Sequence, residues 1–167
     1  MNYMKIDKSS ICNGSGWRVV LWVSGCSLRC NNCFNKETWD CNAGQPFDEK
    51  AKQFIFEQLS KPYIKGITIS GGHPLDAFNF EDVLTLVKEI KSSFPNKDIW
   101  IYTGYLYEEL YYKDISRILL YTDVLVDGPY IEEQRDISLA FRGSRNQRLI
   151  NIPETLKQNK IITVQND

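Results

Sequence analysis

The chain has 167 residues, 43% of them hydrophobic, and a formal net charge of −1. This suits one ordinary core, so residues 1–167 are read as a single domain. The near-neutral charge argues against a protein that coats nucleic acid, and the longest apolar run, Val19 to Val23, is too short to span a bilayer.

Taken in chain order, the opening MNYMKIDKSS lacks the apolar run of a secretory signal, so a cytoplasmic protein without a membrane segment is expected. Trp17–Ser24 is rich in β-branched and aromatic residues and predicts a first strand. From Asp48 to Leu59, Ala51, Phe54, Ile55 and Leu59 share one helical face, with Asp48 and Glu49 near the positive helix start. Gly66–Ser70 predicts a second strand. Asn79 is placed to cap a helix running through Val83, Leu84, Val87 and Ile90 and ending before Pro95. Asp98–Thr103 and Asp123–Val126 predict two further strands, with one broken or two short helices between them over Leu106–Tyr121. The tail from Pro153 holds one more apolar segment, Ile161–Val164, to which no role is assigned.

Near-continuous apolar strands alternating with helices imply βαβ units and a parallel sheet, hence the α/β class. Four to six strands cannot close an eight-stranded barrel, so a partial, open parallel β/α barrel is expected. Loops after the strands gather at one rim in such folds. Here those loops are the cysteine segment, Gly71-Gly72-His73-Pro74, Thr103-Gly104 and Asp127-Gly128-Pro129.

Five cysteines is an odd count, and Cys26, Cys30 and Cys33 fall within eight residues. In a reducing compartment such clustering points to metal or redox chemistry rather than a disulfide framework. The single histidine, His73, excludes a Cys₂His₂ site. Three thiolates spaced by three and then two residues can wrap one corner of a [4Fe–4S] cubane, each on a different iron, leaving one iron open. The alternative is a non-enzymatic Cys₄ zinc module using Cys41 as fourth ligand. Against it, structural zinc sites come from two separated CxxC hairpins, and only one clustered loop is present. Cys12 and Cys41 are read as unpaired small residues.

Cys26-xxx-Cys30-xx-Cys33 followed by Phe34 resembles the motif of the radical S-adenosylmethionine superfamily. More narrowly, the chain resembles the activating enzymes of anaerobic (class III) ribonucleotide reductase. The carrying segments are Asn13-Gly14-Ser15-Gly16 with Arg18-Val19-Val20, Asn35-Lys36-Glu37-Thr38-Trp39, Ser70-Gly71-Gly72, and Tyr102-Thr103-Gly104-Tyr105. Two later ones are Val126-Asp127-Gly128-Pro129-Tyr130 and Arg142-Gly143-Ser144-Arg145-Asn146-Gln147-Arg148.

The resemblance implies a partial barrel of the radical S-adenosylmethionine type, with S-adenosyl-L-methionine and a [4Fe–4S] cluster as cofactors. It implies reductive cleavage of that cofactor, with the resulting radical transferred to a glycine of the reductase large subunit. Flavodoxin or ferredoxin would donate the electron. Cys26, Cys30 and Cys33 become the cluster ligands. Asn32, Cys33, Phe34, Gly71, Gly72, His73 and Thr103 become cofactor contacts. An acidic residue is usual at position 73 of this pattern, and this chain has histidine there instead. Within the same chemistry, activation of another glycyl-radical enzyme or action on a small molecule are the alternatives. Arg135, Arg142, Arg145 and Arg148 make the late region locally basic, either as a solvated face, a docking surface or a salt-bridged closure.

Overall fold

In the computed structural model, which describes residues 1–111 and 114–164, the four expected strands form the middle of one seven-stranded sheet. The expected helical stretch Leu106–Tyr121 includes residues 112–113, and the tail includes residues 165–167, all of which lie outside the described residues.

The elements are β1 (Asn2–Ser10), β2 (Trp17–Val23), β3 (Gln45–Pro46), α1 (Glu49–Leu59), β4 (Ile64–Gly71) and α2 (Phe80–Ser93). They continue with β5 (Asp98–Tyr102), α3 (Tyr107–Tyr111), a 3₁₀ segment Asp114–Tyr121, β6 (Val124–Asp127), β7 (Arg148–Asn151) and α4 (Ile152–Gln158). The sheet order is β3-β1-β2-β4-β5-β6-β7. β2, β4, β5 and β6 are parallel, whereas β1 and β3 on one flank and β7 on the other join antiparallel. The α/β class holds. The strand count exceeds the expected four to six, and parallel order is confined to the middle of the sheet.

Burial explains why the middle was visible in the sequence. Val19, Leu21, Val23, Ile67, Ile69, Ile99, Ile101 and Leu125 are inaccessible and pack against α1, α2 and the 3₁₀ segment. The opposite face carries a smaller cluster of Trp100, Val124, Val126 and Leu149. Both faces are therefore dry, which calls for hydrophobic strands without alternation.

That second face also buries a cation. Arg18 is 0% exposed and pairs with Asp98 Oδ1 at 2.6 Å. It donates to Thr68 Oγ1 at 2.9 Å and to the carbonyls of Ser15 and Ile67 at 3.0 Å each, with its guanidinium 5.0 Å from the Trp100 ring centre.

Helix starts differ in how they are made. The Asp48 side chain accepts the Ala51 N–H at 2.9 Å and caps α1, the usual solution for an orphan helix donor. Asn79 precedes α2 as expected but makes no side-chain cap. Its amide instead donates to the carbonyls of Ser24 at 2.8 Å and His73 at 3.0 Å. Those buried acceptors need donors, and an amide N–H supplies what a cap oxygen cannot. Asn79 thus ties the ends of β2 and β4 together below the rim. Among the described residues, no helix is long and apolar enough to cross a membrane.

Candidate active site

The chain leaves β2 through Ser24 and Gly25, and backbone pairing then fixes the start of the cysteine loop. Gly25 N donates to Thr38 O at 2.7 Å and Cys26 N to Trp39 O at 3.1 Å. Between them the loop turns back on itself, with Arg29 and Asn32 in the left-handed region at φ 47° and 53°. Asparagine visits that region readily; arginine does so at some cost, which the surrounding pairing must offset.

The three thiols of this loop are free and half-buried. Burial pushes the Cys26 thiol above its ordinary pKa, as do the neighbouring Cys30 and Cys33, while the N–H groups of Arg29 and Leu28 oppose this. Asn35 N donates to Cys33 Sγ at 3.4 Å. Backbone N–H groups aimed at the sulfurs are what thiolate ligands of an iron–sulfur cluster receive. Among the described residues, no three His, Cys, Asp or Glu side chains converge as the ligands of a single ion would. Cys41 has its Cβ 3.0 Å from where a Gly25 Cβ would be and does not line the pocket that the other three share. Cys12 is exposed.

Three further strand ends meet this loop. Gly72 N donates to Val23 O and His73 N to Gly25 O, both at 2.8 Å, so the β4 loop lies directly against the exit of β2. A Cβ on Gly72 would stand 2.6 Å from Gly25 O, a backbone atom that cannot swing aside. Gly72→Ala is therefore expected to cost about 1–3 kcal/mol of stability and to separate the two loops. A thermal melt together with the iron retained per chain checks this; an unchanged melt and full iron would contradict the contact.

Cys26, Cys30 and Cys33 open on the same pocket as Gly71, Gly72 and His73 from the β4 loop. Thr103 and Gly104 join from the end of β5, and Gly128 and Tyr130 from the loop after β6. The four loops grouped from the sequence thus share one cavity. Asn32 and Phe34 are not part of its wall. Phe34 is 61% exposed at the rim, edge-on to Tyr130 at 5.2 Å, with the Arg135 guanidinium 5.3 Å from its ring.

His73 is buried at 1% exposure. Its Nε2 lies 2.8 Å from Thr103 Oγ1, its Nδ1 3.8 Å from Asp76 Oδ2, and its ring edge-on to Tyr105 at 4.5 Å. Asp76 was not singled out from the sequence. Its Oδ2 accepts the Ser27 N–H at 2.8 Å and the Ser27 hydroxyl at 2.6 Å, fastening the cysteine loop to the β4 loop. Burial pushes the Asp76 carboxyl up, but the Ser27 hydroxyl and amide, the His73 ring and the Phe78 amide outweigh it, and its pKa lies below the ordinary value.

A depressed carboxylate stabilises the fold fully above the unfolded value, about 3.9, and loses that contribution as pH falls through the folded value. Wild type should accordingly lose stability below about pH 4 more steeply than Asp76→Asn. Denaturant midpoints measured from pH 6 down to 2 check this; parallel curves would contradict it.

The late motif acts as a brace. Gln147 Oε1 accepts the N–H groups of Gly143 at 2.9 Å and Ser144 at 3.2 Å, while its amide donates to Gly128 O at 3.1 Å. Asn146 donates to Pro129 O at 2.7 Å. Asp127, grouped from the sequence with the rim loops, is fully buried. It accepts from the Arg148 guanidinium and from Tyr107 N, and Arg148 also forks onto Glu108 at 3.0 and 2.8 Å. Arg148 is therefore the salt-bridged closure among the three expectations for the late arginines. Arg145 pairs with Asp136 at 3.4 Å. Asn35, Trp39, Ser70, Tyr102 and Gln147 also line the pocket without having been picked out as site residues. Several of them fall inside the segments that carry the resemblance, the one signal that could have found them.

A family profile described as "4Fe-4S single cluster domain" matches residues 12–150. The anaerobic ribonucleoside-triphosphate reductase-activating protein of Haemophilus influenzae is 44% identical over 149 residues, 88% of this chain and 96% of its own length. That of Escherichia coli is likewise 44% identical over 149 residues, with the same coverage of both chains. The protein of that name from Enterobacteria phage T4 is 43% identical over 149 residues, 89% of this chain and 93% of its own length. Three thiols in one loop, a profile spanning most of the fold and full-length relatives agree: the chain belongs to the anaerobic ribonucleoside-triphosphate reductase-activating protein family and carries its 4Fe-4S domain.

Proposed function

We propose that this protein is a cytoplasmic radical S-adenosylmethionine enzyme that places a glycyl radical on the large subunit of anaerobic ribonucleotide reductase. The observation that carries this reading is the shared pocket: Cys26, Cys30 and Cys33 face the same space as the backbone loops at the ends of β4, β5 and β6. The open sheet, parallel in its middle, would be the partial barrel of that superfamily.

The residues present fit a [4Fe–4S] cluster. Three soft thiolate donors, half-buried and met by backbone N–H groups, would hold it at three irons and leave the fourth for a ligand. A reduced cluster held there would supply one electron for reductive cleavage of the cofactor's sulfonium C–S bond, the chemistry that would yield methionine and a 5′-deoxyadenosyl radical. The protein's own contribution is placement. Gly71 and Gly72 let the β4 loop lie against the exit of β2, where a Cβ would meet the backbone of Val23 and Gly25, the Ser27–Asp76 bonds fix the cysteine loop, and Gln147 holds the Gly128 turn against the pocket. Exposed Phe34, against half-buried Tyr130 and with Arg135 beside it, lies at the rim, where the reductase subunit's glycine loop would enter and exclude water. Five free thiols suit a reducing compartment. Flavodoxin or ferredoxin would provide the electron.

The test is chemical. Anaerobically prepared protein, reduced with dithionite and given S-adenosylmethionine, should release 5′-deoxyadenosine and methionine in equal amounts. Reduction of the cluster without either product would contradict the cofactor assignment.

A further inference from the structure

A chain of buried polar groups runs from the cysteine loop to the end of β5. Asp76, His73 and Thr103 are 4%, 1% and 4% exposed, so each polar contact among them is made out of reach of bulk water. Asp76 Oδ2, fastened by Ser27, faces His73 Nδ1 at 3.8 Å, and His73 Nε2 meets Thr103 Oγ1 at 2.8 Å. Thr103 Oγ1 also accepts the Tyr105 N–H at 3.1 Å, and Thr103 lines the pocket.

We propose that Asp76 is a positioning residue that keeps the proton of His73 on Nδ1, so that Thr103 offers the pocket a hydrogen-bond acceptor and selects a ligand bearing an ammonium group. The proposal deepens the cofactor reading above and rests on it, the ammonium being that of the methionyl end of S-adenosylmethionine.

A neutral imidazole has one N–H and one bare nitrogen, and a carboxylate opposite Nδ1 favours the proton on that side. Nε2 must then accept, and the single hydroxyl proton of Thr103 goes to it. The hydroxyl oxygen has two acceptor positions. Tyr105 N–H takes one, and among the described residues no second donor takes the other, which leaves it for the pocket that Thr103 lines. In the opposite tautomer Nε2–H would occupy that second position. The Thr103 hydroxyl would then turn its proton outward and favour a carboxylate. One proton's location thus sets the sign of the group that Thr103 can recognise. The arrangement also accounts for histidine at a position where the resemblance expects an acid: Asp76 supplies the negative charge three residues later, relayed through a ring.

The chain has a single histidine, so cluster-loaded, oxidised protein labelled with ¹⁵N-histidine reports one imidazole at neutral pH. Long-range proton–nitrogen spectra should show Nδ1 protonated and Nε2 bare in wild type, shifting toward Nε2–H in Asp76→Asn. A proton on Nε2 in wild type, whether on a neutral or doubly protonated ring, overturns the proposal. In parallel, binding of S-adenosylmethionine is compared with binding of its analogue lacking the amino group. Asp76→Asn and the isosteric Thr103→Val should each weaken S-adenosylmethionine roughly tenfold or more beyond any loss they cause for the analogue. Equal losses for both ligands would show a merely structural role and overturn the proposal. If wild type binds S-adenosylmethionine and both variants bind it equally well, the proposal alone fails. If wild type does not bind it at all, the cofactor reading fails and takes the proposal with it.

Discussion

Cys26→Ala, Cys30→Ala and Cys33→Ala are each expected to lose the cluster and to reduce formation of 5′-deoxyadenosine to background, while Cys41→Ala keeps both. If these three thiolates hold a four-iron cluster, as proposed, removing any one takes away a ligand the cluster needs. Cys41 is the nearest alternative in sequence, but it sits beside Gly25 and does not line the pocket that the other three share. Iron and sulfide per chain, the visible absorption of the reconstituted protein and product formation check the set together. Cluster loss in Cys41→Ala with retention in any of the other three would show the ligands to be differently chosen.

The second large effect concerns stability. Asp98→Ala strands Arg18, whose side chain is fully buried while that of Asp98 is 24% exposed. Removing one member of a buried pair typically costs about 3–5 kcal/mol, because the remaining charge cannot regain water. For a chain of this size that lowers the melting temperature on the order of 10 °C. Asp98→Asn, which keeps an acceptor oxygen and loses the charge, should fall between wild type and Asp98→Ala. The Ser15, Ile67 and Thr68 contacts remain to Arg18 in both variants, along with the Trp100 ring. An unchanged melt in Asp98→Ala would show that those contacts alone satisfy the guanidinium. The pair joins the starts of β2 and β5, at the opposite end of the sheet from the cysteine loop. Its loss should therefore lower stability without altering the cluster's spectrum in protein that remains folded.

The middle of the sheet was legible because strands dry on both faces must be written as unbroken apolar runs. β1 was not, since it is a half-exposed strand whose Lys5, Asp7 and Lys8 dilute the pattern, and it draws its stability from pairing with β2. β7 has four residues, too few for any period to show.

At the site, the thiol spacing and the glycine pairs were visible because close backbone approach and metal ligation restrict residue type locally. The Ser27–Asp76 link joins residues 49 positions apart, and neither residue type is unusual where it stands. Nothing local marks Asn79 as a tie between two loops rather than a helix cap either; buried carbonyls of Ser24 and His73 decide it. Phe34 shows the converse limit. Its offset from Cys33 drew attention to it, yet the left-handed turn at Asn32 precedes a ring that stands outward beside Tyr130.

The central claim is that this chain generates a radical on a partner protein, and one measurement addresses it directly. Reduced, cluster-loaded protein is mixed anaerobically with S-adenosylmethionine and the large subunit of an anaerobic ribonucleotide reductase, then frozen for electron paramagnetic resonance. A glycyl doublet that depends on all three components is the predicted result. Cofactor cleavage without that doublet, or a doublet on a different glycyl-radical enzyme and none on the reductase, would contradict the assigned substrate.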